Sequence, residues 1–173
     1  MILKEPFSIA FGAGDFFWNS KLSLDEKVNL IEEGIYRGIN LIDTAEEYGN
    51  SEEIVGKAIK SKRSDVLVAT KVSPQNLSKN NIIQSCLKSL KNLNIETIDI
   101  YQIHWPNPSI NIEETISGLI KLYEKGHIRS VGVCNYPAEG VKNIHKLLGD
   151  TPLASVQMEY NLFERSIEEN GIL

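Results

Sequence analysis

Six times along this chain a short apolar run ends abruptly in polar residues. Each time, a segment with apolar residues at helical spacing follows. That alternation of periods constrains the fold more than any other feature. Val66-Leu67-Val68-Ala69-Thr70-Lys71 is apolar until its last two residues, which suits a parallel strand buried on both faces. The other strand-like runs are 8–12, 39–43, 97–103, 130–133 and 153–157. Stripes such as Leu24, Val28, Ile31 and Ile35, or Ile82, Cys86, Leu90 and Leu93, predict covering helices. Helix starts are predicted at Ser23 with Glu26, Asn50 or Ser51, Ser78, Asn111 with Glu114, and Ser166 with Glu169. Pro137 suits a first helical turn, and Gly38, Asn94 and Gly126 are placed to stop helices.

Regular β–α alternation predicts an α/β fold with a parallel sheet under helices. Two architectures compete, an open doubly wound sheet and a closed barrel. A nucleotide-binding open sheet carries a glycine-rich turn after its first strand. Here Gly12-Ala13-Gly14 lacks the third glycine and runs into Phe16, Phe17 and Trp18 instead of a helix. Polar residues close several different strands, which is the arrangement of a (β/α)8 TIM-type barrel. Such a barrel takes ~250 residues, and this chain has 173. The expectation is one domain over 1–173, truncated to about six strands and incomplete at the C-terminus. Its open barrel edges predict self-association.

Composition narrows the partners. Net charge is −5 with scattered acidic residues, against the basic stripe that nucleic acid requires. Lys60-Ser61-Lys62-Arg63 reads as a solvated helix end. Cys86 and Cys134 are too few for a disulfide framework and read as free thiols, Cys86 in the core. Met1–Ala10 shows no leader pattern, and no apolar run reaches the ~20 residues that span a bilayer. A cytoplasmic protein without membrane contact is expected.

The chemistry gathers at strand ends. Asp43 closes the second strand, Tyr48 follows in its loop, Lys71 ends the third strand and His104 the fourth. A phenol with an ordinary pKa near 10 is a poor proton donor at neutral pH, and a nearby ammonium lowers that value. Lys71 is predicted to supply the ammonium, Asp43 to hold it, and His104 to orient a carbonyl oxygen or pass on a proton. Such a set protonates an oxygen as negative charge develops on it. The matching reaction is carbonyl reduction with hydride from a nicotinamide cofactor.

Leu41-Ile42-Asp43-Thr44-Ala45-Glu46-Glu47-Tyr48-Gly49, with Ser51-Glu52 and Gly56, resembles the first signature of the aldo-keto reductases. Ala69-Thr70-Lys71 and 98–106, around His104, resemble the family's lysine and histidine strands. Segments 125–136 and 156–161 also match, so the resemblance runs through the whole chain in order. It implies a (β/α)8 barrel that reduces aldehydes and ketones, small-molecule carbonyl substrates, with NADPH. It implies Tyr48 as general acid, Lys71 and Asp43 as its tuning pair, and His104 as the substrate-orienting group. Asn135 and Gln157 would bond the nicotinamide carboxamide, with Asp43 near its ribose and Gly14 beside the ring. Cys134 stands where serine is common, and Asp15 where threonine is common. The family's seventh strand supplies an aromatic for the nicotinamide, and its eighth supplies basic residues for the adenosine phosphates. Neither has a counterpart in these 173 residues. Two readings therefore stand: an active reductase, or a catalytically silent remnant or cofactor-sensing interaction protein of the same fold. No role is assigned to His127 or His145. The Phe16, Phe17 and Trp18 group suits a substrate mouth or loop packing equally.

Overall fold

A computed structural model describes residues 9–14 and 20–173. The expected strand start at Ser8, the departure at Asp15 and the Phe16, Phe17 and Trp18 group lie outside the described residues. The elements are β1 (Phe11–Gly12), α1 (Leu24–Tyr36), β2 (Leu41–Asp43), α2 (Ser51–Ala58), β3 (Leu67–Val72) and α3 (Lys79–Leu93). They continue with β4 (Ile100–Ile103), α4 (Ile112–Glu124), β5 (Val131–Cys134), α5 (Ala138–Leu148) and β6 (Leu153–Gln157). Three 3-10 turns lie at Arg63–Asp65, Pro74–Asn76 and Ser166–Glu168.

All six strands are parallel and sit in sequence order. Sequential order with an α-helix after each of the first five strands is the wall of a (β/α)8 barrel, here six strands of it. The strand period of two then sorts side chains. Ile42, Val68, Tyr101, Ile103, Val131 and Val133 face the helices and form the main core with Ile31, Ile54, Ile82, Leu93 and Leu119. Leu41, Ala69 and Ile100 make a small cluster on the other face. Further along the same inner face come Asp43, Lys71 and Gln102. Apolar packing therefore fills the base of the inner face and leaves its upper end to polar groups.

Several helix ends differ from the pattern expected. Ser23 and Glu26 do form a reciprocal capping box, but Leu24 is 41% exposed and is not part of the inner stripe. Neither Asn50 nor Ser51 caps α2 through its side chain. Ser51 is instead buried, donating to Ala13 O at 2.8 Å and accepting from Thr44 Oγ1 at 2.9 Å. Ser78 makes no cap bond either; Glu114 reaches across from α4 to accept from Lys79 N at 3.0 Å. Asn111 caps α4 through Glu113 N. Pro137 sits at the N-cap of α5 and not in its first turn. Asn94 ends α3 in the left-handed region at φ 53°. Ser166 and Glu169 frame a single 3-10 turn without a cap bond. A Cβ on Gly56 would run into the backbone of Leu93, so glycine there lets α2 lie directly against α3.

The N-terminal ends of the strands are held by a buried carboxylate. Asp99 is fully buried, and its Oδ2 accepts from Arg63 Nη2 at 2.6 Å and Val68 N at 2.8 Å. Arg129 Nη1 approaches its Oδ1 at 3.1 Å. Arg63 also donates to Val66 O and Thr97 O. The basic cluster at 60–63 is thus only partly a solvated helix end. Arg63 folds inward and, with Arg129, compensates the buried charge of Asp99. Among the described residues, no helix is long and apolar enough to cross a membrane.

Candidate active site

The loop after β2 follows β3 closely, and this sets Tyr48 in place. Thr44 N bonds Ala69 O at 2.9 Å and Glu46 N bonds Lys71 O at 3.1 Å, so backbone pairing persists past Asp43. The chain then turns, with Tyr48 N on Ala45 O and Ser51 N on Tyr48 O. The bond from Ser51 to Ala13 O ties the far end of this loop to the residue following β1. Tyr48 is returned over the inner face of the sheet, where Gly14 lies against its ring.

Asp43, Tyr48, Lys71 and His104 converge there. Lys71 is 2% exposed, and its Nζ donates to Asp43 Oδ2 at 2.5 Å and to Thr44 O at 3.0 Å. The same ammonium stands 5.1 Å from the centroid of the Tyr48 ring. The Tyr48 hydroxyl is 3.4 Å from His104 Nε2, and the two rings meet edge to face. Asp43 Oδ1 accepts from Gln102 Nε2 at 3.2 Å. Asn135 follows β5 at φ 61°, with Nδ2 donating to His104 O at 3.1 Å and N donating to Gln157 O at 3.0 Å. Gln157 Oε1 accepts from the Cys134 thiol at 3.2 Å. Tyr48, Lys71, His104, Cys134, Asn135 and Gln157 line a cleft of about 230 Å³ with Met158 and Glu159. Every site residue expected from sequence lies within or beside this cleft.

The electrostatics correct one expectation. Burial pushes the Tyr48 phenol above its ordinary pKa; Lys71 pulls it down, and Asp43 pushes it up again. Burial is the largest of these influences, and the net direction is upward. For His104, burial and the Lys71 charge lower the pKa, against Glu47 and Asp43, which raise it. The imidazole is therefore neutral at pH 7. Burial pushes the Cys134 thiol up to about 12.

Two contributors were missed in the sequence. Gln102 stood among apolar residues on β4, and a polar side chain in a strand buried on both faces is itself a signal. Glu47 gave none, because an acidic residue in a loop is ordinary. A larger cleft of about 910 Å³ opens at the other end of the strands, between Asn40, Leu67, Thr97 and Arg129. Its guanidiniums, Arg63 and Arg129, are already engaged by Asp99.

Comparison with known proteins shows the family. The family model described as the Aldo/keto reductase family matches residues 8–173. The chain is 41% identical to aldo-keto reductase YhdN of Bacillus subtilis over 160 residues, 84% of this chain and 47% of that protein. It is 35% identical to methylglyoxal reductase YeaE of Escherichia coli over 162 residues, 92% of this chain and 57% of that protein. Among solved structures, an aldo/keto reductase from Klebsiella pneumoniae in complex with NADP and acetate superposes with TM-score 0.83 at 31% identity. That match covers 94% of this chain and 58% of the other. The thermostable aldo-keto reductase Tm1743 gives 0.87 at 34% identity, covering 94% and 61%. The chain thus spans about half the length of the curated relatives it matches.

Proposed function

We propose, since this chain belongs to the aldo/keto reductase family, that it carries the catalytic face of an NADPH-dependent reductase turning an aldehyde or ketone into an alcohol. One observation supports this above the rest: a buried lysine, bonded to Asp43, lies beneath a phenol that faces the cleft. Burying an ammonium is costly unless it is paired, and ordinary packing gives no reason to spend it under a tyrosine.

The residues present fit the nicotinamide end of the cofactor. Each amide of Asn135 and Gln157 uses one side-chain end in a described hydrogen bond. Asn135 Oδ1 and Gln157 Nε2 remain, one acceptor and one donor, which complement a carboxamide. NADPH, when bound, supplies the hydride. The chain's own residues manage the oxygen. Tyr48 donates its proton as negative charge builds on the carbonyl oxygen. Lys71 favours the phenolate left behind, and Asp43 keeps the ammonium in position. His104 shares the cleft mouth with the Tyr48 hydroxyl and orients the substrate oxygen when its Nε2 carries a proton. Hydride to carbon and proton to oxygen together complete the alcohol.

Tyr48→Phe tests this reading. The hydroxyl is lost and the ring kept, so carbonyl-dependent NADPH oxidation should fall by roughly 10²-fold or more, with cofactor binding intact. Undiminished turnover in the variant would rule out Tyr48 as the acid. A second reading is cofactor sensing without turnover, or a silent remnant of the same fold. Fluorescence titration with NADPH separates these: binding without turnover selects the sensor, and no binding selects the remnant.

A further inference from the structure

Two consecutive glutamates follow Ala45, and the loop sends them to different partners. Glu46 turns to the loop after β3, its Oε1 accepting from Ser73 N at 2.6 Å and Asn76 Nδ2 at 3.0 Å. Glu47 turns to the cleft mouth. Its Oε1 accepts from Gln75 Nε2 at 3.2 Å, and its Oε2 lies 3.1 Å from His104 Nδ1. That Nδ1 is buried and has no aligned hydrogen bond among the described residues. A buried N–H without an acceptor is costly. The nearest carboxylate belongs to the partly exposed Glu47 side chain. On the opposite side of the ring, Nε2 stands 3.4 Å from the Tyr48 hydroxyl. One imidazole thus bridges a carboxylate and a phenol.

We infer that Glu47 is a positioning residue: its carboxylate takes the Nδ1–H of His104, so that the neutral ring presents an unprotonated Nε2 to the Tyr48 hydroxyl. Which nitrogen carries the proton of a neutral imidazole is set by the bond its other nitrogen makes. Among the described residues, the charged groups acting on this ring are Lys71 from β3, Asp43 from β2, and Glu47 from the loop that also carries Tyr48. Cys134 on β5 is a neutral thiol. Among the described residues, Glu47 is the carboxylate within bonding reach of Nδ1.

The catalytic consequence rests on the reductase reading above. With Nδ1–H held, Nε2 accepts from Tyr48 at rest. It donates to a carbonyl oxygen only after taking a proton from solvent, and Glu47 stabilises the resulting imidazolium. Glu47 therefore sets the pH below which His104 acts as a donor.

Nitrogen NMR of the chain labelled at histidine reads this directly, because there are three histidines: His104, His127 and His145. In the wild type, the neutral His104 signal should be that of the Nδ1–H tautomer. Glu47→Ala should shift it toward the Nε2–H tautomer and lower its titration midpoint by about half a unit or more. His127 and His145 should not move. Glu47→Gln keeps the volume and removes the charge, and should lower the midpoint similarly. A wild-type ring in the Nε2–H form, or a midpoint that neither variant shifts, overturns the assignment. None of these spectra needs cofactor or turnover. Failure here is thus distinct from failure of the reductase reading, which NADPH binding and Tyr48→Phe decide.

Discussion

Tyr48 holds its proton more tightly than a free phenol, because half-burial outweighs the ammonium below it. Under the proposed reaction, a donor of that kind would release its proton only as charge develops on the acceptor, which would favour the transition state over the resting substrate. The same burial silences the thiols. Cys134 lines the cleft, yet both it and Cys86 are pushed up to about 12. Reagents attack the thiolate, so neither cysteine should react with a thiolate-selective reagent at pH 8 until the chain unfolds. Absorbance titration of both thiols, with and without denaturant, checks this. The sign for stability follows: folding favours the protonated thiols, so stability falls as pH rises above the ordinary thiol value toward 12. Asp43, Tyr48, Lys71 and His104 were legible in the sequence because each interrupts or follows an apolar run that needs no polar group for packing. Glu47 was not, since its partner His104 is fifty-seven residues away in sequence and meets it only through the barrel's curvature.

At the level of elements, the strands act as a frame that passes hydrogen bonds inward. Lys71, Gln102, Gly132 and Ser155 lie side by side across β3 to β6. Gln102 Oε1 accepts from Ser155 Oγ at 2.9 Å while its Nε2 donates to Asp43. The link passes over Gly132, where an added Cβ would collide with Ser155 Oγ and stand 2.8 Å from Gln102 Cγ. Glycine at 132 is thus the gap through which β6 supports Asp43. Gly132→Ala should destabilise the fold by about 1–3 kcal/mol, measured by urea unfolding. Part of that cost should vanish when Ser155→Ala removes the hydroxyl; fully additive penalties would contradict the interlock. The β–α alternation was legible because its periods differ so sharply. The caps were less so. Ser51, Ser78 and Glu114 carry capping chemistry, but Ser51 and Glu114 have long-range partners that local spacing cannot show.

At the scale of the molecule, the two edges of the sheet among the described residues are β1, paired with β2 alone, and β6, paired with β5 alone. β1 spans two residues, too short to template another strand, whereas β6 spans five. Val156 on β6 is 40% exposed, and just beyond it Leu162 and Phe163 are 83% and 97% exposed. An unpaired strand flanked by exposed apolar side chains is a docking edge for another chain. The 173-residue chain should therefore self-associate through β6, with a sedimentation coefficient that rises with concentration. Lysine on an edge strand blocks such pairing, so Val156→Lys with Phe163→Ser should return it to monomer. Both side chains are exposed, and the secondary structure should be unchanged by circular dichroism. Substitution at β1, such as Phe11→Lys, should not relieve association, because that strand offers two residues of backbone. A wild-type chain that stays monomeric as its concentration is raised, or association abolished from β1 instead, would remove β6 as the contact.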